Sequence, residues 1–117
     1  MIKLIVSDID GTLVPEGNTD LNPEYLEVIK KLTEKGVVFA AASGRHASSI
    51  DAVFRPVSER IYYVSDNGAC IEKNGKEERA LYLPAKELRE LLHEARKMEG
   101  CYVMFSAVDG FYTDSKD

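Results

Sequence analysis

Apolar and polar residues alternate between two periodicities along this 117-residue chain. Residues 4–6 form a continuous apolar run that stops at Ser7 and Asp8, the pattern of a parallel strand buried on both faces. A turn-rich stretch follows over residues 11–20, with Pro15, Gly17 and Asn18. Asn22 then caps a predicted helix. Pro23 sits at its first position, Glu24 and Glu27 suit its positive end, and Gly36 closes it. Leu26, Ile29 and Leu32 supply its apolar stripe. Residues 37–42 predict a second buried strand. Ser43, Gly44 and Arg45 lead into a second helix over about 45–54, stopped before Pro56. Residues 61–64 predict a third strand, ending at Ser65-Asp66-Asn67-Gly68. The order β-α-β-α-β implies a parallel sheet with right-handed crossovers, an α/β class of Rossmann-like type.

Beyond residue 68 the pattern changes. Residues 69–72 and 79–83 flank Asn74-Gly75, a strong hairpin signal. Pro84 marks a hinge. Residues 85–99 predict a helix with Leu88, Leu91, Leu92 and Ala95 on one side, ended by Gly100. Residues 101–106 and 111–113 predict a second hairpin around Asp109-Gly110. The expected organisation is therefore an α/β part over 1–83 and the start of an α+β part over 84–117.

Composition narrows the partners. The net charge is −5, which argues against non-specific binding of nucleic acid or of an acidic membrane, since both require a basic patch. The longest apolar run, 37–42, is too short to cross a bilayer, and the first residues lack the apolar core of a signal peptide. Cys70 and Cys101 have neither zinc-ligand nor CxxC spacing, so both are expected as buried thiols of a cytoplasmic protein.

Asp8-Ile9-Asp10-Gly11-Thr12-Leu13 carries the most chemistry. At an extended strand end, residues i and i+2 face the same way, about 6–7 Å apart. Two carboxylates are thus expected at the carboxyl edge of a parallel sheet, where open α/β folds bind ligands. Gly11 lets the chain turn, and the Thr12 hydroxyl can fix that turn. Two such carboxylates repel each other unless their roles differ. A magnesium ion on oxygen ligands keeps one ionised as a nucleophile, while the other cycles a proton. A carboxylate attacking phosphorus gives an aspartyl-phosphate. An isolated Asp-Gly is more often a plain turn, but here the pair follows an apolar strand. Ser43 and the N–H groups after it, one β-α unit later, form an anion site. Arg45 either reaches phosphate or is a solvated structural side chain. Asn67 either contacts substrate or is a turn asparagine with positive φ. His46 lacks a metal-ligand partner at useful spacing, and His93 lies on the last helix; neither is expected to be catalytic.

Residues 8–13 resemble the DxDGT signature of the haloacid-dehalogenase-like (HAD) superfamily. Ala41-Ala42-Ser43-Gly44-Arg45 and Asn67-Gly68-Ala69 resemble segments of its Cof-like, type IIB-capped subfamily. The resemblance implies a phosphatase acting on a small phosphorylated metabolite. Asp8 would be nucleophile and Mg2+ ligand. Asp10 would be general acid and base and would lend its main-chain carbonyl to the metal. Ser43 and Gly44 would bind phosphate, and Arg45 and Asn67 are candidates for phosphate or substrate. Residues 11–20 would be the flap-bearing insertion, and 84–117 the start of the cap that sets substrate choice. The family also uses a lysine and a Gly-Asp-x-x-Asn-Asp type segment from after the cap, and this chain holds neither. Lys116, at the end of a cap hairpin, is not a candidate for that lysine. A truncated form with low or no turnover is expected, with self-association through its open sheet edge. The competing readings are a receiver-like phospho-acceptor module using Asp66 and a non-catalytic binding remnant.

Overall fold

The computed structural model describes residues 1–114, so Lys116 lies outside the described residues. The chain divides into two compact units, Met1–Ala80 and Leu81–Asp117.

The first unit is a five-stranded sheet in the order β1 (Leu4–Asp8), β2 (Val38–Ala42), β3 (Tyr62–Ser65), β4 (Cys70–Lys73), β5 (Lys76–Ala80). β1, β2 and β3 are parallel, and β4 and β5 are antiparallel. Helix α1 (Pro23–Glu34) starts as its sequence predicts: Asn22 Oδ1 accepts from the Glu24 N–H at 3.0 Å. Helix α2 spans Ala47–Phe54 and runs into a 3₁₀ segment, Arg55–Arg60. It begins two residues later than expected because His46 caps it, Nδ1 accepting from the Ser48 N–H at 3.2 Å. His46 is buried, and in this fold its ring serves as the cap of α2.

The largest departure concerns β1. Its run was expected to be buried on both faces, yet Leu4 is 56% and Val6 55% exposed. Strand register gives the reason. Directly paired residues share a face, so Leu4, Val6, Asp8, Val38, Ala40, Ala42, Tyr62 and Val64 lie together. Ile5, Phe39, Ala41 and Tyr63 lie on the other face. There they join Ile29 of α1 and Ile50 and Phe54 of α2 in the core. The strands run 1-2-3 in one direction, and crossovers of one hand then put both helices on one side. The apolar run of β1 therefore has one face packed and one open.

The first hairpin also differs. Asn74 (φ 51°) and Gly75 (φ 71°) make the two-residue turn, and Lys73 pairs with Lys76. A turn that short forces β5 to start at Lys76, three residues before the expected 79. Cys70 is half-buried and Cys101 exposed, so the expectation of two buried thiols fails for Cys101 and is met only in part by Cys70.

The second unit contains α3 (Ala85–Ala95) and a two-stranded sheet, β6 (Met104–Ala107) with β7 (Gly110–Thr113). The helix stops at Ala95, short of the predicted 99. Tighter turns there run from the Lys97 N–H to the Glu94 carbonyl and from the Met98 N–H to the Ala95 carbonyl. Arg96 grips Asp114 with Nε at 2.8 Å and Nη2 at 2.9 Å. His93 is exposed.

Candidate active site

Asp8 is the last residue of β1 and points to the open face beside Ala42 and Val64. Ile9 turns the other way and is wholly buried in the core. Its carbonyl accepts from three successive main-chain N–H groups, Thr12 (3.2 Å), Leu13 (3.0 Å) and Val14 (2.9 Å). The Gly11 N–H, at φ 77°, returns to the Val14 carbonyl at 2.8 Å. The tight turn is therefore fixed by backbone bonds and by the buried Ile9, with Thr12 contributing its N–H.

The loops after β2 and β3 are stitched together. The Ser43 N–H donates to the Val64 carbonyl (2.9 Å), the Asn67 N–H to the Ser43 carbonyl (3.1 Å), and the Asp66 N–H to the Arg45 carbonyl (3.0 Å). Asp66 (φ 50°) and Asn67 (φ 56°) both adopt left-handed backbone, followed by Gly68 at φ 92°. For non-glycine residues this costs on the order of 1–2 kcal/mol each, and it concentrates at functional sites. The turn folds the Asn67 side chain over Gly44. A Cβ added to Gly44 would lie 2.9 Å from Asn67 Oδ1, so only glycine leaves that carboxamide its place.

Asp8, Ala42, Ser43, Gly44, Val64, Asn67 and Gly68 line one cavity of about 330 Å³ at the carboxyl ends of the three parallel strands. Four of the six residues proposed from sequence thus meet there: Asp8, Ser43, Gly44 and Asn67. Asp10 and Arg45 are not among its lining residues. They pair with each other, Arg45 Nε donating to Asp10 Oδ2 at 3.0 Å and Nη2 to Oδ1 at 2.6 Å. The Ser43 hydroxyl lies 3.5 Å from Asp10 Oδ2 and accepts from the Arg45 N–H at 3.1 Å. The hydrogen bonds and charge of Arg45 hold the Asp10 carboxyl below the usual aspartate range, against a smaller opposing effect of desolvation. Asp10 raises Arg45 in return. Asp66, placed beside the cavity by the β3 turn, is not among its lining residues.

Oxygen donors suit a hard cation such as Mg2+, and the Asp8 carboxylate has no hydrogen-bonding or charged partner among the described residues. The Asp10 carboxylate is committed to Arg45. No group of three or more His, Cys, Asp and Glu side chains converges as a metal site among the described residues. The donors fit such an ion in kind and supply only part of its coordination.

Farther from the cavity, the Tyr63 hydroxyl donates to Asp51 Oδ1 at 2.9 Å. Burial and that carboxylate push the Tyr63 phenol above its ordinary value. Burial likewise raises Glu72 and the Cys70 thiol.

Known proteins resemble this chain in sequence and in fold. The family model for haloacid dehalogenase-like hydrolases matches residues 5–117. The HMP-PP phosphatase of Serratia proteamaculans is 32% identical over 94 residues, covering 80% of this chain and 34% of that protein. A crystal structure from Eubacterium rectale superposes with a TM-score of 0.86 at 30% identity, over 97% of this chain and 43% of that one. BT1666 of Bacteroides thetaiotaomicron, described among the phosphatases of the HAD superfamily, superposes with a TM-score of 0.75 at 26% identity. It matches over 100% of this chain and 43% of its own. The chain spans between a third and a half of the length of these relatives.

Proposed function

The chain belongs to the haloacid dehalogenase-like hydrolases, and from that premise we propose that it carries the nucleophile-bearing part of a phosphomonoesterase site. The observation that carries this reading is the shared cavity of Asp8, Ser43, Gly44 and Asn67, with Asp10 within reach of Ser43 at its edge. The substrate class is a small phosphorylated metabolite, as the names of the phosphatase relatives suggest.

In the proposed reaction a carboxylate oxygen of Asp8 attacks phosphorus. The bond to the ester oxygen breaks, and that oxygen takes the proton of the protonated Asp10 carboxyl and leaves as the alcohol, which leaves Asp10 ionised. Ser43, the Gly44 main chain and Asn67 hold the non-bridging oxygens. Water then attacks the aspartyl-phosphate, giving its proton to Asp10 and releasing phosphate and the Asp8 carboxylate. That proton serves the leaving oxygen of the next turnover. Asp10 as it stands, paired with Arg45, is in the ionised form that accepts from water. Mg2+ on the Asp8 carboxylate and the Asp10 main-chain carbonyl would neutralise charge between the nucleophile and the phosphate when bound.

Among the described residues no lysine lines the cavity, and Asp8 is the one carboxylate among those that line it. We therefore expect this 117-residue chain to turn over slowly or not at all. The test compares hydrolysis of a phosphomonoester by the chain and by Asp8→Asn. The expected result is little or no Asp8-dependent turnover, while a slow aspartyl-phosphate on Asp8 is trapped by mass spectrometry. Hydrolysis that persists in Asp8→Asn, or phosphorylation at Asp66 in its place, would refute the reading. We expect the chain to reside in the cytoplasm; among the described residues no helix is long and apolar enough to cross a membrane.

A further inference from the structure

Resting on the proposed phosphatase site, we propose that Arg45 is a positioning residue for Asp10, and that the phosphoryl oxygens are taken up on the Ser43–Gly44–Asn67 side without it. Both carboxylate oxygens of Asp10 are engaged by the guanidinium, Oδ2 by Nε at 3.0 Å and Oδ1 by Nη2 at 2.6 Å. A planar fork of this kind fixes both the distance and the plane of a carboxylate. The Arg45 backbone is held from two directions. Its N–H donates to the Ser43 hydroxyl at 3.1 Å, and its carbonyl accepts from the Asp66 N–H at 3.0 Å. The side chain runs from this anchor to Asp10 and is not among the residues that line the cavity with Gly44 and Asn67.

Charge points the same way. Asp8, Asp10 and a phosphate ester bring like charges to one rim. If Arg45 left Asp10 to bind the ester, the Asp10 carboxylate that remains once its proton has passed to the leaving oxygen would stand uncompensated beside the phosphorylated Asp8. Kept on Asp10, it removes that repulsion and holds the carboxylate within reach of Ser43, whose hydroxyl is 3.5 Å from Oδ2. The Ser-Gly-Arg segment thus divides its work. Gly44 makes room for the Asn67 carboxamide in the cavity, and Arg45 serves the second aspartate.

The test uses the 117-residue chain with 15N-labelled arginine and backbone. In the absence of any anion, the Arg45 Nε–H signal is expected downfield and protected from exchange, and Asp10→Asn is expected to return it to the position of a solvated arginine. During titration with inorganic phosphate, the Gly44 and Gly68 amides are expected to shift saturably while Arg45 Nε–H stays in place. Arg45→Lys, which keeps the charge and loses the fork, is expected to weaken phosphate binding by less than about threefold. An oxyanion ligand at this position would cost about tenfold or more. The proposal is overturned if Asp10→Asn leaves the Arg45 signal unchanged, or if that signal tracks phosphate with the same midpoint as Gly44. Phosphate that moves none of the cavity amides would defeat the phosphatase reading and, with it, uptake on the Ser43–Gly44–Asn67 side, while the Asp10→Asn comparison, which needs no anion, decides the positioning role of Arg45 by itself.

Discussion

Gly44→Ala puts the close approach of two loops under direct test. The added methyl would sit 2.9 Å from Asn67 Oδ1, 3.3 Å from Nδ2 and 3.4 Å from Cγ. The first distance is one that real Cβ atoms essentially never show, so the carboxamide must swing away by a few tenths of an ångström. The Asn67 backbone cannot follow, because its N–H is bonded to the Ser43 carbonyl at 3.1 Å. The movement therefore falls on the Asn67 side-chain torsions, and a torsion about 30° from its rotamer costs roughly 0.5–1.5 kcal/mol. For a unit of this size, 1 kcal/mol lowers Tm by about 4–8 °C. In the proposed site the displaced amide would also give up its contact with a bound oxyanion, worth roughly 1.5–3 kcal/mol, or about ten- to a hundredfold in affinity. The assay is a double-mutant cycle of Gly44→Ala and Asn67→Ala, read by thermal unfolding and by phosphate titration. Once Asn67 is alanine, the methyl on Gly44 has nothing to strike, and its cost should fall to a few tenths of a kcal/mol. If Gly44→Ala destabilises equally in both backgrounds, the cause lies in the Gly44 backbone and the steric reasoning is wrong.

Three further outcomes follow from the same geometry. Tyr63 keeps its proton in the fold beyond the ordinary tyrosine value because of burial and the bond to Asp51, whereas the unfolded chain ionises near pH 10. Stability is therefore expected to fall as pH rises above about 10, and Tyr63→Phe to lessen that slope in urea titrations at pH 9 and pH 11; equal slopes would contradict it. Mg2+ is expected to bind weakly. A Kd on the order of 1 mM would add about 1.4 kcal/mol at about 10 mM ion, read as a Tm rise that Asp8→Asn abolishes. The open face and edge of β1 are expected to drive self-association. Sedimentation should show mass rising with concentration, and Val6→Lys, at a residue 55% exposed, should weaken it by about tenfold; unchanged association would place the contact elsewhere.

The strand-helix order, the Asn22 cap and the Asn74-Gly75 hairpin were legible because each rests on local chemistry: a side chain bonding two residues away, or a backbone sign that few residues adopt. The convergence of Asp8 and Ser43 was legible for a different reason. Two parallel strands joined by one helix must present their carboxyl ends to the same rim. The pairing of Arg45 with Asp10 was not, because the two lie 35 residues apart and nothing near either residue distinguishes a guanidinium aimed at a carboxylate from one aimed at a phosphate. Ile9 was also silent. Its burial, which fixes the turn between the two aspartates, reads in sequence as one more apolar residue. Asp66 gave no sign of its positive φ, since the Asn-Gly that follows accounts for a turn without it.

Within these 117 residues Leu4 and Val6 are exposed because strand order decides which face of β1 the helices α1 and α2 cover. An apolar run records that a strand tolerates apolar contact on both sides, whereas the placement of helices is decided by strand order. Here β1 to β2 to β3 advances in one direction, so α1 and α2 share a face and Asp8 emerges on the other, beside Ala42 and Val64. One topological fact thus explains both departures from a two-sided sheet. It leaves Leu4 and Val6 uncovered by α1 and α2, and it keeps both helices off the side of the sheet where the Asp8 carboxylate meets its cavity.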